Sequence, residues 1–290
     1  MTQTAELQEF QERSNQSWER DIPSLGIKLQ CLLNIDNDKI KENIRENLKR
    51  GHDEIWPYKE QDTEVIVCAG GPSLVSHIDE IKSINGKVIA LANSAHILKE
   101  NGIRYHAHVL LDAKPRNAEF ILDEKTTYFI ASQCDPEVFE RAGKTGNKIY
   151  IWHAINNEEE FEIINEQGSP WIPVQAGSTI TPRALRLLNI LGYKNFHCFG
   201  FDSCYMDNKH HSYDQPDADK HKTMNFEFEG RDFKVSPWMI AQFMDFMQFV
   251  KNFGMNINLN VYGDGLISHL IKRGSEMTEK TQSTVSITEN

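Results

Sequence analysis

The stretch Glu64-Val-Ile-Val-Cys-Ala-Gly-Gly-Pro-Ser-Leu74 limits the fold more than any other part of the chain. Residues Val65 to Ala69 form an unbroken apolar run, which is how a strand reads when both faces of its sheet are covered. Gly70 and Gly71 stop that run and leave bare backbone that another group can approach closely. Pro72 suits the first turn of a helix, where a missing N–H costs nothing. Ser73 adds a hydroxyl and an N–H at that helix start. A strand, a glycine turn and a helix N-terminus together predict an anion site, because free N–H groups and the helix dipole point the same way. No Gly-Lys-Ser/Thr follows, so this is not a P-loop, and GxGxxG is incomplete. The plain alternative is an ordinary tight βα turn.

The rest of the chain repeats the pattern. Strands are predicted at 65–69, 88–92, 107–112, 128–132, 148–152, 195–201 and 256–262. Helices are predicted at 74–84, 94–101, 117–123, 136–142, 179–191 and 237–253. The alternation predicts an α/β fold: a Rossmann-like, mostly parallel sheet with helices on both faces. In such a sheet the ligand crevice lies at the carboxyl ends of the strands. The residues just after strands are therefore the candidates: Gly70–Ser73, Asn93, Asp112, Ser132, Gln133, His153 and Asp202.

Three regions follow from this reading. Residues 1–60 are charged and helix-prone, with Ile40, Ile44 and Leu48 recurring every fourth residue. They read as a helical N-terminal arm packed on the main domain, and as a surface through which two copies could pair into a homo-oligomer. Residues 61–272 read as one Rossmann-like domain, the expected nucleotide-binding and catalytic unit. Residues 273–290 are rich in Ser, Thr, Glu and Lys and read as a flexible tail. Between Asp202 and Ser236 the chain reads as one long polar loop, a lid or binding loop.

Composition narrows the partners. A formal charge of −11 disfavours a broad nucleic-acid surface but allows a local pocket for a nucleotide. No apolar run approaches the roughly 20 residues of a membrane helix. The N-terminus has no apolar stretch of the secretory kind. The five cysteines are scattered without a CxxC pair and read as reduced thiols, which points to a cytoplasmic setting.

Several residues carry chemistry in this frame. The Asn93 amide both donates and accepts, as reading a base or ribose requires, and it equally suits a helix N-cap. Asp112 suits a ribose diol, a metal ion or an amine. His106 and His108 lie two apart on one strand, but no third ligand is near, and no metal site is assigned. Gln175-Ala-Gly-Ser-Thr-Ile-Thr181 opens a helix with a second glycine turn, so Gly177 and Ser178 form a second candidate anion site; Ser178, Thr179 or Thr181 could instead cap that helix. Asp202 follows Gly200 at the end of a strand, and Tyr205, His210, His211 and Tyr213 lie in the loop beyond. Histidine is the usual general base near neutral pH.

The order of these motifs is informative. A strand ending in Gly-Pro-Ser-Leu is followed by strands ending in Asn and in Asp. Then come Gly-Ser before a helix, Leu-Gly-Tyr-Lys, Gly-Phe-Asp and a His/Tyr loop. Over roughly Glu64–Ile271 this set resembles the family of motility accessory factor glycosyltransferases and MptE-like 6-hydroxymethylpterin pyrophosphokinases. It is similar, more remotely, to the small bacterial sialyltransferases that use CMP-sialic acid. The resemblance implies a Rossmann-like domain that binds a nucleotide. It implies phosphate contacts at Gly70, Gly71, Pro72 and Ser73, nucleotide contacts at Asn93 and Asp112, and a second wall at Gly177 and Ser178. Asp202, His210, His211 and Tyr213 would then frame the catalytic, acceptor side.

Two departures weigh on the reaction. Gly70-Gly71 replaces the more usual Asn-Gly or Ala-Gly. The histidine that sialyltransferases carry before their last long helix is missing from Asp232–Trp238, so a histidine base would come from His210 or His211. The expected activity is nucleotide-dependent transfer to a hydroxyl acceptor. The foremost donor is a nucleotide-activated sugar, CMP-linked for example. The alternative is a pyrophosphokinase using ATP with Mg²⁺ on Asp112 and Asp202, and with Trp238 or Phe201 stacked on a pterin. A nucleotide-binding module without catalysis is the third reading.

Overall fold

The computed structural model describes residues 17–22, 27–32, 35–122, 124–213 and 223–274. Its centre is an eight-stranded sheet built from β3 (Asp53–Glu54), β4 (Gln61–Cys68), β5 (Lys87–Leu91), β6 (Ala107–Leu110), β7 (Thr127–Ala131), β8 (Ile149–Trp152), β9 (Tyr193–Phe199) and β12 (Asn258–Val261). Two antiparallel strand pairs stand apart from it: β1 (Ser17–Ile22) with β2 (Ile27–Leu32), and β10 (Met224–Phe228) with β11 (Arg231–Val235).

The order across the main sheet is β12-β9-β4-β5-β6-β7-β8-β3, and every neighbouring pair is parallel. From β4 the chain steps outward strand by strand to β8. It then returns to the opposite side of β4 and adds β9 and β12. The direction of winding therefore reverses between β4 and β9, and that reversal opens a crevice at their carboxyl ends.

The apolar run that opened the sequence reading explains why β4 is central. Val65 and Val67 point into one core, with Leu185 and Leu188 of α6 (Ile180–Ile190) and Phe243 and Phe246 of α7 (Pro237–Phe253). Ile66 and Cys68 point into a second core, with Ile81 of α2 (Ile78–Ser83) and Leu98 of α3 (Ser94–Glu100). Successive side chains on a strand face opposite ways, so a strand apolar at every position must be covered on both faces. The remaining helices are α1 (Asn37–Leu48), α4 (Pro136–Lys144) and α5 (Glu158–Asn165), and residues 266–274 are also helical. No helix of the described residues is long and apolar enough to cross a membrane.

The N-terminal arm contains the expected helix, but it also contributes strands. Its Asp53–Glu54 pairs with β8 and extends the sheet, and residues 17–22 and 27–32 pair as antiparallel strands where helix was expected. The sequence there alternates, Ile27-Lys-Leu-Gln-Cys31, after a proline and a glycine at 23 and 26, which is a strand signal. Residues 1–16 and 275–290, which hold the start of the arm and most of the expected tail, lie outside the described residues. The loop expected between Asp202 and Ser236 likewise contains a hairpin. Glu229 and Gly230 have φ of 48° and 77°, which suits a two-residue turn of the mirror-image type that matches strand twist.

Helix α1 is fastened by two asparagines with no solvent exposure. Asn47 Nδ2 donates to the Ser132 carbonyl at 3.0 Å and the Cys134 carbonyl at 2.7 Å, and Asn43 Nδ2 donates to the Gln133 carbonyl at 3.1 Å. These carbonyls lie just beyond β7, where no further strand residue satisfies them. Ile44 packs with Ile163 and Ile164 of α5. Asn47→Ala leaves two buried carbonyls without a donor, a loss of about 1–3 kcal/mol. Chemical denaturation should show that loss, and a change within error would mean that α1 is not anchored there.

Candidate active site at the reversal of the sheet

The turn after β4 is joined to the turn after β9. Gly71 N–H donates to the Gly200 carbonyl at 3.0 Å, and Ser73 N–H donates to Asp202 Oδ2 at 2.8 Å. The contact is close enough to require glycine. A Cβ on Gly71 would lie 2.4 Å from both Asp202 Oδ2 and the Gly200 carbonyl oxygen. The helix that follows is a 3₁₀ turn, Pro72–His77, leading into α2.

Asp202 is 2% exposed. Burial raises its carboxyl above the usual range, and the Ser73 N–H opposes that shift. Its Oδ1 has no hydrogen-bond partner within normal geometry among the described residues, and the Ser73 hydroxyl beside it, like the Ser73 N–H, favours the charged carboxylate. Asp202 is therefore placed to position the glycine turn. Its carboxylate already stands where an anion was expected to meet the Ser73 N–H.

Gly263 and Gly265, which the sequence reading passed over, complete this junction. A Cβ on Gly265 would lie 2.5 Å from the Asp202 Cα, and one on Gly263 would lie 3.0 Å from the Ser73 hydroxyl. Leu266 N–H donates to the Asp202 carbonyl at 2.8 Å. The signal was Gly-Asp-Gly between the last strand and the last helix, the same syntax as the turn at Gly70.

The histidine loop lies over the glycine turn. The Gly70 carbonyl accepts from Ser212 N–H at 2.9 Å and lies 3.1 Å from His211 Nδ1. A carbonyl only accepts, so Nδ1 carries a proton. The Tyr213 ring stacks on His211 with centroids 4.9 Å apart. His210 turns inward instead, 6% exposed, with its ring against Tyr205 and Trp238. Of the two histidines, His211 is the one held at the crevice by the glycine turn. The part of this loop at 214–222 lies outside the described residues.

The second glycine turn has the same construction. Asp245 of α7 accepts from the Ser178 N–H at 2.9 Å and from its hydroxyl at 2.6 Å. Gly177 has φ +78°, and a Cβ there would lie 2.7 Å from the Asp245 Cβ. Thr179 is the N-cap of α6 but makes no side-chain cap bond. Buried Arg183 donates to the Gly177 carbonyl and to Asn156 Oδ1, both at 2.6 Å. Burial lowers the Arg183 guanidinium to about 10, against the pull of Glu160 and Asp245. Asp245, Arg183, Glu160 and Asn156 were not singled out from the sequence; they come from three separate segments, Asn156 and Glu160 from around the start of α5, and meet only in the fold.

The other candidates divide between the crevice and the framework. Asn93 follows β5, is half-buried and makes no side-chain cap bond. Ala92 before it has φ +47°, a costly conformation for a residue with a side chain. Asp112 follows β6 and is exposed. Gln133 and Ser132 lie under α1, and His153 is buried against Glu54 at 2.9 Å. His108 is buried, contacts the Ala92 carbonyl at 2.7 Å, and is lowered to about 4 by burial. No group of three or more histidine, cysteine or acidic side chains fit for a metal ion occurs among the described residues.

Asp112 and Asp202 do not fit a shared Mg²⁺ ion. They end β6 and β9, which are separated by three strand spacings, about 14 Å. Magnesium binds oxygen at about 2.1 Å. The pair expected from the sequence to hold the ion is therefore split by the topology, and Asp202 is committed to Ser73.

An all-parallel sheet wound outward in both directions, with glycine turns meeting at the point of reversal, defines a Rossmann-like domain. A family model described as 6-hydroxymethylpterin diphosphokinase MptE-like matches residues 38–208, and the chain belongs to this MptE-like family. No curated protein matches it. Among solved structures, the Maf glycosyltransferase from Magnetospirillum magneticum AMB-1 is similar, with a TM-score of 0.62 and 16% identity. The match covers 79% of this chain and 36% of that one, and at this identity it is a likeness of fold.

The two adjacent glycines should respond differently to substitution. Gly71→Ala drives a Cβ into Asp202 and the Gly200 backbone, and should cost roughly 3 kcal/mol. Gly70→Ala meets the Tyr213 ring edge at 2.9 Å, and the loop can shift. Thermal denaturation should therefore rank Gly71→Ala well below Gly70→Ala, and equal losses would contradict the close contact of the two turns.

Proposed function

We propose that the chain is a nucleotide-dependent transferase acting at the crevice between β4 and β9. The foremost reading is transfer of a sugar from a nucleotide-activated, CMP-type donor to a hydroxyl acceptor. The observation that carries it is the gathering of the glycine turn, Asp202, His211 and Tyr213 at the one place where the sheet reverses. The fold shared with a Maf glycosyltransferase supports it.

In this reading His211 Nε2 takes the proton of the acceptor hydroxyl as that oxygen bonds to the anomeric carbon. The bond from that carbon to the donor phosphate breaks, and the phosphate leaves with the electron pair. The Gly70 carbonyl holds His211 in the required tautomer. Asp202 stays buried and keeps the turn in register. Asn93 stands at the neighbouring strand end to read the nucleoside.

The family match supports a second reading, transfer of diphosphate from ATP to a hydroxymethylpterin-like alcohol. There Mg²⁺ would arrive with the ATP phosphates and use one protein carboxylate, since Asp112 and Asp202 are too far apart to share it.

A thermal-shift series with CMP, CDP, UDP, GDP and ATP, each with and without Mg²⁺, separates these readings. Stabilisation by CMP without metal is the expected result, and His211→Ala should keep that stabilisation while losing turnover. Stabilisation by ATP with Mg²⁺ alone would replace the first reading by the second. No shift with any nucleotide would overturn both.

A further inference from the structure

In the turns expected to cradle phosphate, three N–H groups are engaged within the protein. Gly71 N–H is held by the Gly200 carbonyl, Ser73 N–H by Asp202 and Ser178 N–H by Asp245. Two of the three partners are carboxylates. In a chain of net charge −11, an anionic ligand at this edge needs cations from elsewhere.

The segments that join the carboxyl ends of β4 to β8 to the helices after them, taken with the first two residues of each helix, hold two such residues. They read Ala69-Gly-Gly-Pro-Ser73, Ala92-Asn-Ser-Ala95, Leu111-Asp-Ala-Lys-Pro-Arg116, Ser132-Gln-Cys-Asp-Pro-Glu137 and His153-Ala-Ile-Asn-Asn-Glu-Glu159, with Arg116 in the first turn of the 3₁₀ helix Pro115–Phe120. Lys114 and Arg116 are their only lysine and arginine. Neither makes an ion pair or hydrogen bond through its side chain among the described residues. Asp112, two residues before Lys114, does not pair with either cation, so the segment presents two positive charges against one negative.

The loop that carries them is fixed from within. Buried Asn117 donates to the Asp112 carbonyl at 2.9 Å, and its own N–H bonds the Lys114 carbonyl at 3.0 Å. His96 of α3 contacts the Glu119 carbonyl at 3.1 Å, which ties this loop to the helix that begins after Asn93. The ends of β5 and β6 thus form one unit beside β4. The end of β6 lies two strand spacings, about 10 Å, from the glycine turn.

We infer that Lys114 and Arg116 are the phosphate-binding residues of the site, with Asn93 between them and the glycine turn. The inference rests on the nucleotide reading above and names the residues that reading lacked. The ligand class is a nucleoside mono- or diphosphate, whose phosphate oxygens accept from the ammonium and guanidinium groups. The nucleoside lies toward β5 and β4. Half-buried Lys114 and exposed Arg116 act through partly screened charge, so binding falls with added salt.

Isothermal titration tests this with the nucleotide found to stabilise the wild type, its nucleoside and inorganic pyrophosphate. Lys114→Ala and Arg116→Ala should each weaken the nucleotide and pyrophosphate about tenfold, the loss expected for a charge-assisted hydrogen bond. Nucleoside affinity should not change. Lys125→Ala, just before β7 at the opposite edge, should change nothing. Unaltered nucleotide affinity in both variants would overturn the inference, as would an equal loss of nucleoside, which marks a collapsed loop. A wild type that binds no nucleotide overturns the function proposed above, and pyrophosphate then decides the clamp by itself. Pyrophosphate bound and lost in the two variants would uphold the clamp, and pyrophosphate not bound, or bound equally by all, would sink it.

Discussion

The hydrogen bond from the Ser73 N–H to the Asp202 carboxylate holds the site together. At a reversal of winding, the helices after the two central strands leave in different directions, so the ends of those strands are free to part. Here they are drawn together by Asp202 and by the Gly71–Gly200 backbone bond. Glycine on both sides lets the backbones approach, and Gly263 and Gly265 bring the end of β12 to the same point. Three strands thus end in one packed junction. The histidine loop is built on top of it, through the Gly70 carbonyl.

This arrangement separates two jobs that a glycine turn is often asked to do together. The turn at Gly70–Ser73 is an architectural joint whose Gly71 and Ser73 N–H groups serve the protein. The groups proposed to meet the ligand are instead His211, Tyr213, Asn93 and the two cations after β6. The turn at Gly177–Ser178 follows the same rule, with Asp245 as its internal carboxylate and buried Arg183 holding its carbonyl. A buried carboxylate at a helix start satisfies the same donors that a phosphate would, at the cost of desolvating a charge.

Much of the framework was legible in the sequence, and the reasons are physical. A doubly covered strand must be apolar at consecutive positions, so β4, β5, β7 and their order along the chain could be read from runs such as Val65–Ala69. The principle that ligands bind beyond strand carboxyl ends placed Asn93 and Asp202 correctly relative to the sheet. What escaped was whatever depends on partners distant in sequence. Asp245 lies 67 residues from Ser178, and nothing near it announces that it will meet the turn. The hairpin at Met224–Val235 was hidden because its polar neighbours suggested a loop, although Glu229-Gly230 is a turn signal. The expected Asp112–Asp202 metal pair failed because both do end strands, but strand order across the sheet is not strand order along the chain.

The most direct test of this account is the pH dependence of stability in the wild type and Asp202→Asn. Burial raises the Asp202 carboxyl above its unfolded value of 3.8, so the folded protein holds this proton more tightly than the unfolded chain. Between those two values the unfolded chain has released the proton and the folded protein has not, so wild-type stability falls as pH rises through that window. Asparagine does not titrate and still offers an oxygen to the Ser73 N–H. Urea unfolding from acid to neutral pH should therefore show Asp202→Asn gaining on the wild type as pH rises, then holding a constant difference from it. A variant that instead loses ground as pH rises would contradict the account, since it would mean that the site stabilises the Asp202 charge rather than burying it.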